Sequence, residues 1–163
     1  MIVRDATAAD MEAVADILND VIATTTAVWT DDLVDVNERL GWFDQRRRAG
    51  YPVLVADAGE IAGFASFGDF RPWPGYAGTV EHSVHVRATH RGAGVGTLLV
   101  RELIVRATDL GKHVVIAGVE ATNDASLRLH RRLGFTQVAY LPEVGRKFDR
   151  WLDLVLLHRT LQP

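Results

Sequence analysis

The stretch from Val84 to Gly96, VHVRATHRGAGVG, decides the fold of this chain. Its first residues have high β propensity and predict the end of a strand, whereas the glycines of Arg91–Gly96 predict a tight turn that opens directly into a helix. Unpaired amide groups at a helix N-terminus attract anions, and glycines let the backbone approach a pyrophosphate closely. The stretch therefore indicates a strand–turn–helix unit that can hold a phosphorylated ligand.

Two other phosphate-binding motifs do not fit this turn. A P-loop ends in Gly-Lys-Ser/Thr, whereas Gly96 is followed at once by Thr97 with no lysine. A dinucleotide fingerprint requires G-x-G-x-x-G, but after Gly92 and Gly94 the third glycine is replaced by Thr97, and no acidic residue ends a second strand about 20 residues on. A helix start that holds no ligand is the remaining alternative.

Hydrophobic periodicity around this unit predicts an alternation of strands and helices. Thr7 is a candidate N-cap for a first helix that extends to about Ile22, and Asn123 is a candidate N-cap for a short helix that ends at Leu133. A second helix ends in three arginines before Gly50, and a third extends from the glycine turn to about Leu110. The predicted strands cover residues 2–4, 51–56, 60–67, 79–86, 113–119, 135–141 and 151–157. This order predicts an α/β fold with one mixed, mostly antiparallel sheet of about seven strands and helices on both faces.

Composition limits the classes of function. The 163 residues predict a single domain, 1–163, and the 18 basic and 21 acidic residues give a net charge of −3, which argues against a nucleic-acid binder. The absence of cysteine excludes disulfides, a thiol nucleophile and a cysteine-ligated zinc site. No signal peptide or membrane-spanning run is visible, so we expect a cytoplasmic protein. His82 and His85 point to opposite faces of a strand, and we expect no metal.

The turn Arg91–Gly96 resembles the R/Q-x-x-G-x-G/A motif of the GNAT superfamily of acetyl-CoA-dependent N-acetyltransferases. Three further segments resemble the phosphinothricin acetyltransferase branch of this superfamily: Val80–Val86 (VEHSVHV), Gly111–Phe135 and Val144–Val155 (VGRKFDRWLDLV). Two earlier segments are similar to members that act on methionine sulfoximine and methionine sulfone, namely Ala27–Trp29 and Gly50–Val55. The resemblance implies a sheet that splays between its fourth and fifth strands, acetyl-CoA as co-substrate, a small amine as acceptor, and a homodimer.

Two residues are candidates for catalysis. Glu81 lies in the middle of a predicted strand, where a carboxylate is buried unless it faces a cavity. The resemblance implies that Glu81 is a general base acting through a water. The structural alternative is a salt bridge between Glu81 and an arginine. His130 stands where many relatives carry a tyrosine that protonates the leaving thiolate, and the alternative is a ring that packs near the thioester. His82 is interpreted as a packed core histidine or a secondary proton relay.

The resemblance also implies which residues bind each substrate. Coenzyme A is expected at the strand end, the glycine turn and the N-terminus of the short helix: Val84, His85, Val86, Arg91, Gly92, Ala93, Gly94, Val95, Gly96, Thr97, Asn123 and Ser126. The amine pocket is expected to include Trp29, Arg71, Pro74, Gly75 and Tyr76, together with Glu81.

The sequence departs from the branch at Ala77, where relatives usually have a second arginine. This keeps two alternatives open, namely acetylation of a different amine such as a peptide N-terminus or a polyamine, and a non-catalytic module that senses acetyl-CoA.

Overall fold

Seven strands form one sheet in the computed structural model, which describes residues 1–162. In chain order they are β1 (Ile2–Asp5), β2 (Val53–Asp57), β3 (Ile61–Asp69), β4 (Thr79–Val86), β5 (Val114–Glu120), β6 (Thr136–Lys147) and β7 (Arg150–Thr160). Their order in the sheet is β1-β2-β3-β4-β5-β7-β6, and every neighbouring pair is antiparallel except β4 and β5. The predicted mixed, mostly antiparallel sheet is confirmed.

Helices cover both faces of this sheet, as predicted. They are α1 (Met11–Thr24), α2 (Val36–Arg48), α3 (Val95–Asp109) and α4 (Asp124–Arg132). Successive residues of β2 point to opposite faces: Val53 and Val55 pack with α1 and α2, whereas Leu54 and Ala56 belong to the cluster that includes α3 and α4. No helix within residues 1–162 is long and apolar enough to cross a membrane.

The parallel pair β4–β5 is short. It joins Thr79–His82 to Val114–Ala117, and beyond these residues the two strands no longer pair. Each strand keeps its other neighbour, because β4 continues along β3 to Val86 and β5 continues along β7 to Glu120. The splay implied between the fourth and fifth strands is therefore present, and it lies in the interior of the sheet.

The glycine turn brings α3 close to the end of β4. Gly92 and Gly94 have φ values of 79° and 83°, a left-handed conformation that glycine adopts without strain, and Gly94 is the N-cap of α3. Gly63 on β3 lets the helix pack tightly, since a Cβ atom there would lie 2.8 Å from the His85 carbonyl oxygen and 3.1 Å from Val95 Cγ1. A side chain at this position would push the helix away from the sheet.

The largest difference from the predicted elements is the length of β6. The prediction ended this strand at Leu141, before Pro142, but the strand continues to Lys147. The register shifts between Leu141 and Gly145, and Glu143 in between has a φ of 53°. A bulge accommodates a proline that a regular ladder would not, because the irregular residues need no ladder hydrogen bond.

We expect Gly63→Ala to lower the free energy of unfolding by about 1–3 kcal/mol, because the added methyl group overpacks the contact between β3 and α3. Gly41→Ala is the matched control, since Gly41 lies inside α2 and an added Cβ atom there would meet no other atom within 4 Å. Alanine there should raise stability by about 0.5–1 kcal/mol, because it is the better helix former. Urea denaturation measures both changes, and equal effects of the two substitutions would contradict the packing argument.

Candidate active site

A cavity of about 230 Å³ opens where β4 and β5 separate. Its wall is formed by the loop after α1, residues 81–85 of β4, residues 117–120 of β5, and residues of α4 and its N-cap. Six of the residues predicted for the site line this one cavity: Glu81, Val84, His85, Asn123, Ser126 and His130.

The cavity passes through the sheet and joins its two faces. Glu81 and His85 lie on the face covered by α1 and α2, where the His85 ring packs against Phe64 at a centroid distance of 5.3 Å. His82 points to the other face, where its ring lies 5.7 Å from that of Phe135 in the α3–α4 core. Ligands that approach from opposite faces can therefore meet inside the split.

Backbone groups of β4 face this split. Arg87 N donates to Ala62 O at 2.8 Å, and hydrogen-bonded pairs alternate with non-bonded pairs along an antiparallel ladder. His85 opposite Phe64 therefore exchanges its bonds with β3, whereas Val84 and Val86 direct their N–H and C=O groups toward the diverging strand β5. These groups can bind an extended polar ligand in the split.

Glu81 places a carboxylate at the centre of the cavity wall. Its Oε1 lies 3.3 Å from the position that a Cβ atom of Gly118 would occupy, so the absence of a side chain on β5 makes room for it. Burial raises the pKa of Glu81 above its usual value, and the positive charge of Arg71 opposes that rise. No ion pair neutralises Glu81 in the part of the chain that the structure describes, which argues against the salt-bridge alternative.

His82 and His130 form a buried pair beside this carboxylate. Their Nε2 atoms are 3.0 Å apart, and His130 Nδ1 lies 2.7 Å from the carbonyl oxygen of Ser126. Burial lowers the pKa of both rings, and for His82 the pKa falls to about 3. Asn123 caps α4 as predicted, because its Oδ1 accepts from Ser126 N at 3.2 Å.

The glycine turn carries amide groups that the hydrogen bonds of α3 do not use. The hydrogen bond from Leu98 N to Gly94 O, 3.1 Å long, is the first of α3, so the amides of Val95, Gly96 and Thr97 precede the helical ladder. No acidic residue lies in the first turn of α3, and open space surrounds the Cα atoms of Gly92 and Gly94. The donor set therefore fits the pyrophosphate of a coenzyme. Arg91 lies 3.6 Å from Asp20 at the edge of the turn, and Ala93 completes it.

The predicted amine-pocket residues do not all reach the cavity. Pro74–Tyr76 form an exposed single turn of 3-10 helix, and the Tyr76 ring packs on Phe70 at 5.8 Å. Arg71 also lies over the Phe70 ring, at 5.2 Å, and acts on Glu81 through its charge. Gly75 and its neighbours thus belong to a turn outside the cavity wall.

Trp29 also lies beside the cavity and not in its wall, which the loop residues Ala27 and Val28 form instead. The indole occupies the space next to Gly145, where any Cβ atom would overlap it, and its Nε1 donates to Thr26 O at 2.8 Å. This contact with the distant strand β6 is invisible in the sequence.

Lys147 is the second residue of β6 that shapes this loop, and sequence reasoning missed it. Its Nζ is buried and donates to the carbonyl oxygens of Ile22, Thr25 and Val28 at 2.6, 2.7 and 2.8 Å. The ammonium therefore satisfies orphan carbonyls at the C-terminus of α1 and fixes the loop that lines the cavity. The sequence carried one signal for Lys147: only two of the 18 basic residues are lysines, Lys112 and Lys147, so a lysine at this position is unusual for the chain.

Residues 1–162 contain no candidate metal site, since no three histidine, aspartate or glutamate side chains are grouped so that they could hold an ion.

A family model described as acetyltransferase (GNAT) family matches residues 14–135. The chain therefore belongs to the GNAT family of acetyltransferases, and the family to which the glycine turn pointed is confirmed.

Particular relatives narrow this class. An L-methionine sulfoximine/L-methionine sulfone acetyltransferase of Pseudomonas paraeruginosa is 50% identical over 99% of this chain and 95% of its own length. A phosphinothricin N-acetyltransferase of Streptomyces viridochromogenes is 36% identical over 98% of this chain and 87% of its own. An acetyltransferase of Salmonella typhimurium, solved with its cofactor acetyl-CoA, superposes with a TM-score of 0.98 at 46% identity and covers 100% of this chain and 95% of its own.

We expect Lys147→Met to lower the free energy of unfolding by about 2–4 kcal/mol, because three buried carbonyl oxygens lose a charged donor. Lys112→Met is the control: Lys112 Nζ donates to Ala77 O at 2.8 Å at an exposed site, and its loss should cost less than about 1 kcal/mol. Urea denaturation gives both values, and hydrogen exchange of residues 23–28 should accelerate only in Lys147→Met. Equal exchange in the two variants would contradict the role of Lys147 in fixing this loop.

Proposed function

We propose that this chain transfers the acetyl group of acetyl-CoA to the α-amine of a small amino-acid analogue, namely methionine sulfoximine, methionine sulfone or phosphinothricin. Acetyl-CoA supplies a thioester as the acetyl donor. The observation that carries the proposal is the solvent-accessible carboxylate of Glu81, which has no ion-pair partner in the described part of the chain and lines a cavity where β4 and β5 separate. The names of the relatives support the acceptor.

The coenzyme lies on the α3–α4 side in this proposal. The amides of residues 92–97 bind its pyrophosphate, and Arg91 flanks them. The backbone groups of Val84 and the N–H group of Val86 bind the pantetheine arm, because they face the split, whereas the Val86 carbonyl oxygen accepts from Arg91 Nε at 3.4 Å. Asn123 and Ser126 contact it from the start of α4, where both line the cavity.

Glu81 acts as general base in a direct transfer. An α-amino group has a pKa of about 7.7–8.0 in peptides, so much of it is protonated at neutral pH and cannot attack a thioester. Glu81 removes this proton, through a water if the amine lies beyond direct reach. A raised pKa suits the task, because a carboxylate with an ordinary pKa is a weak base.

The amine lies on the α1–α2 side, against Ala27 and Val28. Arg71 is the cation that acts on Glu81, and its guanidinium suits an α-carboxylate. Ala77 leaves the site with one arginine fewer than is usual in the branch, so a different amine, such as a peptide N-terminus, is the alternative acceptor. A non-catalytic acetyl-CoA sensor is disfavoured, because such a protein needs no base between two binding faces.

Three further expectations belong to this proposal. A homodimer is supported by exposed apolar side chains on β6, β7 and the turn between them: Val138, Tyr140, Val144, Phe148 and Trp151. Its solution mass, measured by light scattering, would be twice the 18.0 kDa of one chain. Detoxification as the biological role and a cytoplasmic location stay predictions, as does the extent of the domain, 1–163.

We expect Glu81→Gln to lower kcat by a factor of about 10²–10⁴, the range for loss of a general base. The assay follows thiol release from acetyl-CoA with methionine sulfoximine, methionine sulfone, phosphinothricin, a dipeptide and spermidine. Binding of acetyl-CoA, measured by calorimetry, should be nearly unchanged, and Glu60→Gln, an exposed glutamate, should match the wild type. Turnover only with the dipeptide or spermidine would replace the proposed acceptor, and binding without any turnover would favour the sensor.

The charge of Arg71 gives a prediction for the pH profile. Activity requires ionised Glu81, so kcat should fall as the pH drops through its pKa, which lies above the usual 4.5. Arg71→Gln removes the charge that lowers this pKa, and we therefore expect the acid limb of kcat to move to higher pH. Profiles at saturating amine measure the shift, with Arg48→Gln, an exposed arginine paired with Asp44, as control. An acid limb at the same pH in Arg71→Gln and in the wild type would contradict an effect of Arg71 on the pKa of Glu81.

A further inference from the structure

The Nε2 atoms of His82 and His130 are 3.0 Å apart, a distance at which one ring donates a hydrogen bond to the other. Both side chains are buried, and the ring centroids are 5.0 Å apart. Which ring carries that hydrogen decides what His130 can do, because a ring nitrogen that accepts a hydrogen bond cannot also donate one.

The other nitrogen of His130 assigns the hydrogen. His130 Nδ1 lies 2.7 Å from the carbonyl oxygen of Ser126, and a carbonyl oxygen can only accept, so Nδ1 carries a hydrogen. Burial lowers the pKa of His130, and within residues 1–162 no carboxylate contacts the ring to stabilise a second proton. A neutral imidazole has one N–H group. His130 Nε2 is therefore bare, and the shared hydrogen belongs to His82.

The remaining nitrogen of His82 agrees with this assignment. His82 Nδ1 is buried and has no hydrogen-bond partner in the described part of the chain. With its hydrogen on Nε2, neutral His82 leaves a bare lone pair at Nδ1 and no unpaired N–H. The hydrogen bonds therefore run in one direction: His82 Nε2–H donates to His130 Nε2, and His130 Nδ1–H donates to the carbonyl oxygen of Ser126.

Ser126 is the last residue in this series of hydrogen bonds, and it lines the cavity. Its Oγ lies 3.3 Å from His130 Nδ1, and because that nitrogen carries the hydrogen, the hydroxyl oxygen is on the accepting side. The hydroxyl hydrogen has no acceptor among the residues that the structure describes, and Ser126 lines the cavity. A free O–H group in the wall can donate to a developing negative charge.

We propose that His82 is a positioning residue that holds His130 as the neutral Nδ1–H tautomer, and that the Ser126 hydroxyl, not the His130 ring, is the donor offered to the leaving sulfur. The second half rests on the proposed function. The bond between the acetyl carbon and sulfur breaks with its electron pair on sulfur, and Ser126 donates a hydrogen bond to that charge. Glu81 takes one proton of the ammonium before attack, the nitrogen loses a second proton as the amide forms, and water relays this second proton to sulfur, so no proton leaves His82 or His130. An ordinary thiol pKa of about 8.5 makes a stronger acid unnecessary.

Nuclear magnetic resonance of the free protein with ¹⁵N-labelled histidine tests the first half without any substrate. We expect a scalar coupling between the two Nε2 nuclei across the hydrogen bond, with the directly bonded hydrogen on His82. We also expect His130 to show a protonated Nδ1 and an unprotonated Nε2. A hydrogen bonded to His130 Nε2, or the absence of any coupling, would overturn the assignment.

Substitutions separate positioning from stability. His82→Phe keeps an aromatic ring at this position and removes the N–H donor. The ¹⁵N resonance of His130 Nε2 should therefore move toward that of an unprotonated ring nitrogen that accepts no hydrogen bond. Phe135→Leu is the matched control, because Phe135 packs on both histidines and forms no hydrogen bond with them. It should lower the melting temperature and leave this resonance in place. The same shift in both variants would reduce His82 to a packing residue.

The role of Ser126 is tested by kinetics. Ser126→Ala should lower kcat on the order of tenfold, the effect of losing one hydrogen bond to a charge, with little change in the KM for acetyl-CoA. Ser126→Thr, which keeps the hydroxyl, should restore most of the loss. Unchanged kcat in Ser126→Ala overturns this half of the proposal. Absence of turnover in the wild type overturns it together with the proposed function, and the magnetic resonance result on the histidine pair would still stand.

Discussion

The site depends on the point where β4 and β5 stop exchanging hydrogen bonds. After His82 and Ala117 the two strands diverge in the middle of a sheet that helices cover on both faces. The backbone groups of Val84 and the N–H group of Val86 then face a gap and not a neighbouring strand, while the Val86 carbonyl oxygen accepts from Arg91. Unpaired backbone groups inside a protein are costly, so such a gap is kept where a ligand can satisfy them. The same gap is lined by residues from both faces of the sheet.

Missing side chains shape the surroundings of this gap as much as the side chains that are present. Gly63 admits the start of α3, Gly118 admits the Glu81 carboxylate, and Gly145 admits the Trp29 indole. In each case an atom from elsewhere in the chain lies within 3.3 Å of the position that a Cβ atom would take, and such close approach is a common reason for glycine within a strand. Together with Lys147, Gly145 makes the far edge of the sheet a support for the loop whose residues Ala27 and Val28 line the cavity.

Local signals in the sequence predicted most of the elements but not every boundary. Strand 79–86 matches β4 because a β-rich run is bounded on both sides by turn residues, and Asn123 caps α4 because that interaction involves only nearby residues. β6 was predicted too short, since Pro142 normally ends a strand and the bulge that tolerates it depends on pairing with β7. The turn Pro74–Tyr76 was expected in the pocket because the family resemblance implied it. It lies outside the cavity wall, and the stiffness of a turn does not determine where it points.

The sequence by itself determined the class of this protein: local composition and spacing predict the order of strands and helices, and the glycine turn and the run VEHSVHV resemble motifs of the family. Only the tertiary structure decided how the site is assembled. Lys147 fixes the loop of residues 22–28 from a strand more than one hundred residues away, and His82 meets His130 across the separation of β4 from α4. Such contacts depend on the packing of distant elements, so no local pattern encodes them. Which nitrogen of His130 carries its hydrogen follows in turn from those contacts.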